Sequence, residues 1–400
     1  QQGQMVQEPK EEKERQQEDR ALSPLELWAN VEPRDEELIV SDEVLHEAQQ
    51  AFDRKEVVFL HHVLLAAFPV LGTLNAAKRA LRRGNVRVND NLEKAHDTVA
   101  PPAGSRLSLR LGAAECAHPD LQQRLEAWNS KSSRPEAQVR VLFEDREAGW
   151  AVVNKPAGLH SRPCCYDKGR LTLEAYLPAV LAPPLCGTPC CRPRLCHRLD
   201  FRVCGPVVVG TSEEAVRSIK RAFEERTVHK EYRAIVCGTP GKKGDSFVVE
   251  APLDGEGART EVKILRVVPC PHFGQLSELE LRPVTGRHQQ LRRHCAQTLG
   301  TPIVNEERPL FEAATSAWRE RTGSDLPTYI SRGGGNLFLQ AVEVTMPLQA
   351  KDAVVVRVDV SERFEKLLQT STRAWRDGWR MDAEGRTYRV DEHAEAAIAA

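Results

Sequence analysis

Apolar residues are sparse over the first twenty positions, where Gln, Glu, Lys and Arg follow one another without period. So few groups to bury cannot offset the entropy of ordering a chain. Residues 1–56 are therefore expected to be an acidic, partly disordered segment, with an amphipathic helix starting near Leu22 or Asp42. The pattern changes at residue 57. Leu64, Leu65 and Phe68 form an apolar stripe that ends at Pro69, and a second helix is predicted from about Leu74 to Arg83. Ala77, Ala80 and Leu81 face inward there, Lys78, Arg79, Arg82 and Arg83 face out, and Gly84 ends the run. "NVRVND" then alternates Val86 and Val88 with Arg87 and Asn89, and "PPAGSRLSLRL" adds a turn and a second alternating strand. Residues 57–112 thus read as a small α/β module.

The stretch 113–138 is polar and ends in "NSKSSRPEAQ", which predicts a linker. From Val139 onward short apolar strands alternate with helical pieces. The clearest helix spans 213–226, with Ala215, Ile219, Ala222 and Phe223 on one face. A large domain over 139–368 and a tail over 369–400, containing Trp375 and Trp379, complete the division.

Composition narrows the class. With 41% apolar and 28% charged residues, the chain has the balance of a soluble globular protein. Its longest apolar stretch, Val57 to Gly72, is broken by His61, His62 and Pro69, so no membrane partner is expected. The net charge of −1 conceals an asymmetry: residues 1–60 carry 16 acidic and 7 basic side chains, whereas residues 76–110 carry 8 basic and 3 acidic ones. A basic segment of that kind suits a local phosphate-binding surface. Eleven cysteines without a secretory signal read as reduced thiols of an intracellular protein. Because Met5 is preceded by Gln1, the natural start is expected to lie elsewhere, and cytoplasm and an organelle such as the mitochondrion both stay open. Cys164, Cys165, Cys186, Cys190, Cys191 and Cys196 crowd one loop beside His160 and His197. Zinc wants four ligands in tetrahedral array, and adjacent cysteines give little freedom to build one. The cluster is read as a loop insertion, and no metal is expected.

An Asp ends "HRLD" at 197–200, just before the strand Pro206 to Val209. Alone it would pass for a turn or cap residue. Its setting is a series of stretches that together resemble the RluA family of pseudouridine synthases. "VLFEDREAGWAVVNKPAGLHSRP" (141–163) resembles the family's first motif, and "CHRLDFRVCG" resembles the second, whose Asp is catalytic. "FEERTVHKEYRAIVCG" (223–238) resembles the segment with the active-site tyrosine, and "ARTEVKILR" (258–266) a further strand. "LRPVTGRHQQLRRHCAQTLGTPIVNE" (281–306) resembles the third motif, and "LFLQAVEVTMPL" (337–348) the closing strand. All stand in the family's order. Upstream, "AAKRALRRGNVRVND" resembles the alpha-L RNA-binding module named after a small-subunit ribosomal protein, although its opening Arg-Leu-Asp is Leu60-His61-His62 here.

The resemblance implies an α+β fold: a mixed, largely antiparallel sheet with flanking helices and a central cleft, plus the small RNA-binding module. It implies that Asp200 is the catalytic carboxylate, that Tyr232 stacks on the target base and that Arg292 pairs with Asp200. Arg198 would help to hold the base out of its helix, Lys155 and Pro156 would shape the cleft wall, and Arg287 would join the substrate-binding set. In the module, Lys78, Arg79, Arg82, Arg83 and Arg87 would meet RNA. The chemistry is self-consistent. The reaction breaks the bond from ribose to ring nitrogen, turns the uracil and rejoins it through carbon 5, so nothing is oxidised and no cofactor is needed. A carboxylate near the sugar is kept charged by a guanidinium, and an aromatic face supports the detached base. The implied partner is RNA, ribosomal before transfer RNA, acted on by a monomer. Three departures stand beside this: Val203-Cys204 replaces the family's Thr-Ser, His288-Gln289 its Thr-His, and one residue is inserted before Leu299-Gly300. They leave a second reading open, an inactive relative serving as an RNA-binding or ribosome-assembly factor.

Overall fold

The computed structural model describes residues 22–390 apart from 32–33, 52–56, 69–70, 72–73, 96–97, 112–120, 132–137, 163–170, 328–335, 349–350 and 383–385. The chain divides into two compact units, residues 1–121 with 189–192, and residues 122–188 with 193–400.

The first unit opens with helix α1 (Pro24–Ala29), whose start is set by a capping box between Ser23 and Glu26. Strand β1 (Arg34–Ile39) and helices α2 (Asp42–Ala51), α3 (Leu60–Ala67) and α4 (Leu74–Arg83) follow, then strands β2 (Val86–Val88), β3 (Asn91–Glu93) and β4 (Arg106–Leu111). The sheet order is β1-β4-β2-β3. Leu60, Val63, Leu64, Ala77, Ala80, Leu81, Val86, Leu107 and Leu109 form its core. Asn89 and Asp90, both at positive φ, make the two-residue turn between β2 and β3. On α4, Arg79, Arg82 and Arg83 are exposed and Lys78 is half-buried, while Arg87 is exposed on β2. Strand β1 falls inside the acidic segment expected to be partly disordered, where no strand was expected. Its "RDEELI" has a polar pattern that hides a strand, because the strand is held by backbone pairing with β4, from Arg34↔Leu111 to Ile39↔Arg106. Only Leu38 packs on the core.

The second unit contains helix α5 (Leu121–Lys131), which occupies most of the described part of the expected linker. Leu125 is buried there and Trp128, close to one helical turn on, is half-buried. Strands β5 (Arg140–Asp145), β6 (Trp150–Lys155), β7 (Pro189–Leu195, of which residues 193–195 belong to this unit) and β8 (Gly205–Ser212) form a sheet in the order β5-β6-β8-β7. Helix α6 (Glu213–Glu224) starts at the Ser212 cap and buries Ala215, Val216 and Ile219. The larger sheet has the order β10-β11-β12-β9-β13-β14, with β9 (His229–Cys237), β10 (Ser246–Glu250), β11 (Arg259–Cys270), β12 (Gly274–Pro283), β13 (Leu339–Leu348) and β14 (Lys351–Arg357), all pairs antiparallel. Short helix α7 (Gln290–Arg293) leads into a π-type turn at His294–Thr298. Helix α8 (Glu362–Arg376) runs through the boundary expected at 369, because Phe364 and Leu368 are buried against Ile235 and Leu276. The β15–β16 hairpin (Trp379–Met381, Thr387–Arg389) ends the described chain and is tied to it by Met381 N–H donating to the Pro271 carbonyl at 3.0 Å. The fold is α+β, with antiparallel sheets predominant.

The two sheets meet where β8 starts beside β13: Ala341 N–H donates to the Cys204 carbonyl at 2.9 Å. Gly205, at φ +133°, is required there, since a Cβ would collide with the Ala341 carbonyl. No helix among the described residues is long and apolar enough to cross a membrane. In the cysteine-rich loop, Cys186 and Cys196 are free thiols and Cys190 is buried, whereas Cys164 and Cys165 lie outside the described residues. Among the described residues no group of three or more His, Cys, Asp or Glu is arranged to hold a metal.

Candidate active site

Asp200 sits in the loop between β7 and β8, and its neighbours are pinned from below. Ser161 Oγ donates to the Leu199 carbonyl at 2.7 Å and accepts from Leu199 N–H at 3.1 Å. Gly158 N–H donates to the Phe201 carbonyl at 2.7 Å, and Arg202 Nη2 donates to the Asn305 carbonyl at 2.6 Å. Lys155 is fully buried and donates from Nζ to the carbonyls of Pro156 (2.9 Å) and Leu159 (2.8 Å), with the Phe201 carbonyl at 3.5 Å. Burial lowers its pKa to about 7, against the opposing pull of Cys204 and Asp200. Lys155 and Pro156 were expected at the cleft wall, but neither lines the cavity. The turn after β6 points carbonyls inward, and the ammonium satisfies them from behind the Asp200 loop.

Arg292 arrives from the other side. Gln289, in the left-handed region at φ 50°, begins α7. The buried Gln290 amide then fastens this loop to β11: Oε1 accepts from Thr285 Oγ1 (2.7 Å) and Arg287 N–H (3.0 Å), and Nε2 donates to the Arg259 carbonyl and Thr260 Oγ1 (both 2.9 Å). The Arg292 side chain is 4% exposed and meets three carboxylates. Nε donates to both Glu306 oxygens at 3.1 Å, Nη2 reaches Glu306 at 2.5 Å and Glu307 at 3.3 Å, and Nη1 faces Asp200 Oδ2 at 3.4 Å. Burial works against the charge, but Glu306 foremost, and then Asp200 and Glu307, raise the guanidinium pKa further. Arg292 is therefore always charged, gripped by Glu306 and only lightly engaged by Asp200. The Asp200 carboxylate keeps 23% of its side-chain surface accessible.

Tyr232 lies on β9, opposite Leu281 of β12 and Ala341 of β13. Burial, and secondarily the Asp200 charge, raise its phenol pKa above the ordinary value of 10, so it stays neutral. Asp200, Tyr232, Arg292, Arg198 and Arg287 line one cavity of about 680 Å³. Arg198 is exposed on the rim. The Arg287 guanidinium is engaged by Glu256 and by the Gly257 carbonyl at 3.1 Å. His197 accepts from Val208 N–H at 3.0 Å through Nε2, and burial lowers its pKa to about 3. It is a neutral pin for the loop. Val203, His288 and Gln289, where the sequence departs from the family's pattern, also line the cavity.

Sequence reasoning missed three groups. Glu306, whose side chain is wholly buried, ends the third motif, where an acid following an apolar stretch was the available signal. Lys230 stands two residues before Tyr232 and lines the same cavity. Ser161 gave no signal, since its partner lies 38 positions away.

A family model described as RNA pseudouridylate synthase matches residues 149–297. The dual-specificity RNA pseudouridine synthase RluA of Salmonella typhi is 31% identical over 182 residues, covering 42% of this chain and 75% of that protein. Pseudouridylate synthase RPUSD4, mitochondrial, of Xenopus tropicalis is 28% identical over 58% of this chain and 81% of its own length. RNA pseudouridine synthase 3, mitochondrial, of Arabidopsis thaliana is 29% identical over 42% of this chain, which spans only 41% of that relative. With a carboxylate, a tyrosine and a guanidinium meeting in one cleft inside the matched region, the chain belongs to the RluA-type RNA pseudouridine synthase family.

Proposed function

We propose that the chain isomerises uridine to pseudouridine in structured RNA, with ribosomal RNA the favoured substrate and transfer RNA the next choice. The observation that carries this reading is the shared cavity of Asp200, Tyr232 and Arg292. Asp200 supplies the carboxylate at the sugar and ring. Arg292, held by Glu306, offers it a fixed positive charge at 3.4 Å. Tyr232, neutral and buried, gives the detached uracil a face to turn on. A base must leave its stack to enter such a cleft, which favours loops and strained helices. Arg198 on the rim is suited to occupying the space the base vacates, and Arg287, tied to Glu256, to shaping the entrance. In the first unit, Lys78, Arg79, Arg82, Arg83 and Arg87 serve as phosphate contacts that position RNA without reading its sequence. The mitochondrial names of two relatives support an organellar location. The enzyme acts as a monomer in this reading.

Mapping pseudouridine in ribosomal and transfer RNA from cells with and without the protein tests the proposal. Sites that vanish with the protein and return with the wild-type chain, but not with Asp200→Ala, are expected. Pseudouridine maps unchanged by loss of the protein would overturn it.

A further inference from the structure

Among the described residues, Lys230 is a cation of the cleft with no carboxylate in ion-pair distance. It lies on β9 two residues from Tyr232, so both side chains leave the same face of the strand. Both line the cavity that Asp200 lines. The other arginines that line the cavity are paired or exposed: Arg292 has Glu306, Arg287 has Glu256, and Arg198 and Arg226 are exposed. Lys230 is half-buried, and among the described residues its ammonium has no carboxylate within ion-pair distance. Glu224 lines the cavity too but makes no ion pair with it. The neighbours of Lys230 are the Phe223 ring, whose centroid is 5.6 Å from Nζ, and the neutral His197. Burial alone pulls its pKa down, with no anion to offset it. A desolvated ammonium facing a binding cavity is a group whose partner arrives with the ligand.

We propose that Lys230 forms a phosphate subsite in the cleft, taking a backbone phosphate next to the flipped uridine while Tyr232 receives the base. This rests on the reading of the cleft as an RNA site and names the part of the substrate it holds. Asp200 and Arg292 are already paired with each other, so a phosphate entering beside Tyr232 meets in Lys230 the half-buried cation of the lining that has no ion pair among the described residues, whereas Arg198 and Arg226 are exposed. A phosphate there would fix the sugar relative to the Asp200 carboxylate, which makes Lys230 a substrate-positioning residue.

The test is the salt dependence of binding for a short fluorescent oligouridylate, measured on the full chain carrying Asp200→Ala so that no turnover intervenes. Each phosphate neutralised on a single strand contributes about 0.7 to the slope of log affinity against log salt. Lys230→Met should flatten the slope by about that amount, and Lys230→Gln should do the same, while Lys230→Arg should restore it. Lys263→Met, which removes the same charge from an exposed site on β11, should leave the slope unchanged. Weaker binding at an unchanged slope would mean a contact with a uracil carbonyl and would overturn the subsite. So would an equal change in the Lys263 control, or no oligouridylate binding by the parent protein at low salt. Product formation is read separately. A lost slope with no pseudouridine anywhere leaves the subsite standing and defeats the enzymatic reading, and the reverse result does the opposite.

Discussion

The cleft and the basic helix α4 put positive charge to opposite uses. Arg292 is almost wholly buried, and three carboxylates determine where each of its nitrogens lies. Arg82 and Arg83 of α4 project from the other face of a helix whose Ala77, Ala80 and Leu81 are in the core. A guanidinium held in several directions fixes geometry, and its loss is felt as a failed chemical step. Exposed cations fix little and act by releasing counter-ions, so their loss is felt as weaker, less salt-sensitive binding. The lesson is that the same residue type predicts rate in one place and affinity in the other, and that burial decides which.

Glu306→Gln should give the largest effect that breaks or sharpens this contrast. It removes the charge that grips Arg292 and should destabilise the fold by about 3–5 kcal/mol, the usual cost of breaking a buried pair. A freed guanidinium should also lower single-turnover rate by about a hundredfold, with RNA affinity little changed. Thermal unfolding and single-turnover product assays measure both. Unchanged rate with weakened binding would erase the distinction between the two regions.

Tyr232 comes next. Tyr232→Leu should cost about 1–3 kcal/mol in the reaction barrier through the lost stacking face. Tyr232→Phe should cost less, because the phenol is buried and neutral. Rate constants for the pair decide whether the ring or the hydroxyl carries the role.

Burial also gives the cleft a pH signature that an exposed basic helix lacks. His197 has a folded-state pKa near 3 against an ordinary 6.5. The unfolded chain therefore binds the proton first, and stability contributed by neutral His197 is present above about pH 6.5 and lost as pH falls toward about 3. The loss should approach about 1.4 kcal/mol per pH unit within that window. Denaturant melts of His197→Gln should show a flatter acid limb than those of the parent.

The smallest effect belongs to α4. Arg82→Ala should lower RNA affinity and flatten the salt slope by less than about one, leaving single-turnover rate at saturating RNA untouched. A rate defect there would show that the module does more than hold the substrate.

What could be read from residues alone follows the same division. Asp200, Tyr232 and Arg292 were legible because each sits in a local motif and the motifs keep one order along the chain. Helices α4 and α6 were legible through their apolar period. Strand β1 was not, because an edge strand held by backbone pairing needs only Leu38 to face the core. Lys155 was misplaced for a related reason. The motif that holds Lys155 suggests the cleft wall, and only the inward carbonyls of Pro156 and Leu159 explain why its ammonium is buried away from the cavity. Glu306 and Lys230 depend on what lies across the cleft, which no local window contains.

The most direct test replaces one oxygen. Asp200→Asn keeps the shape of the side chain and its contact with Arg292 but removes the charge. In a single-turnover assay with RNA carrying a mapped site, the account predicts binding within a few-fold of wild type and no pseudouridine. Pseudouridine formed by Asp200→Asn at a rate near that of the parent would contradict it.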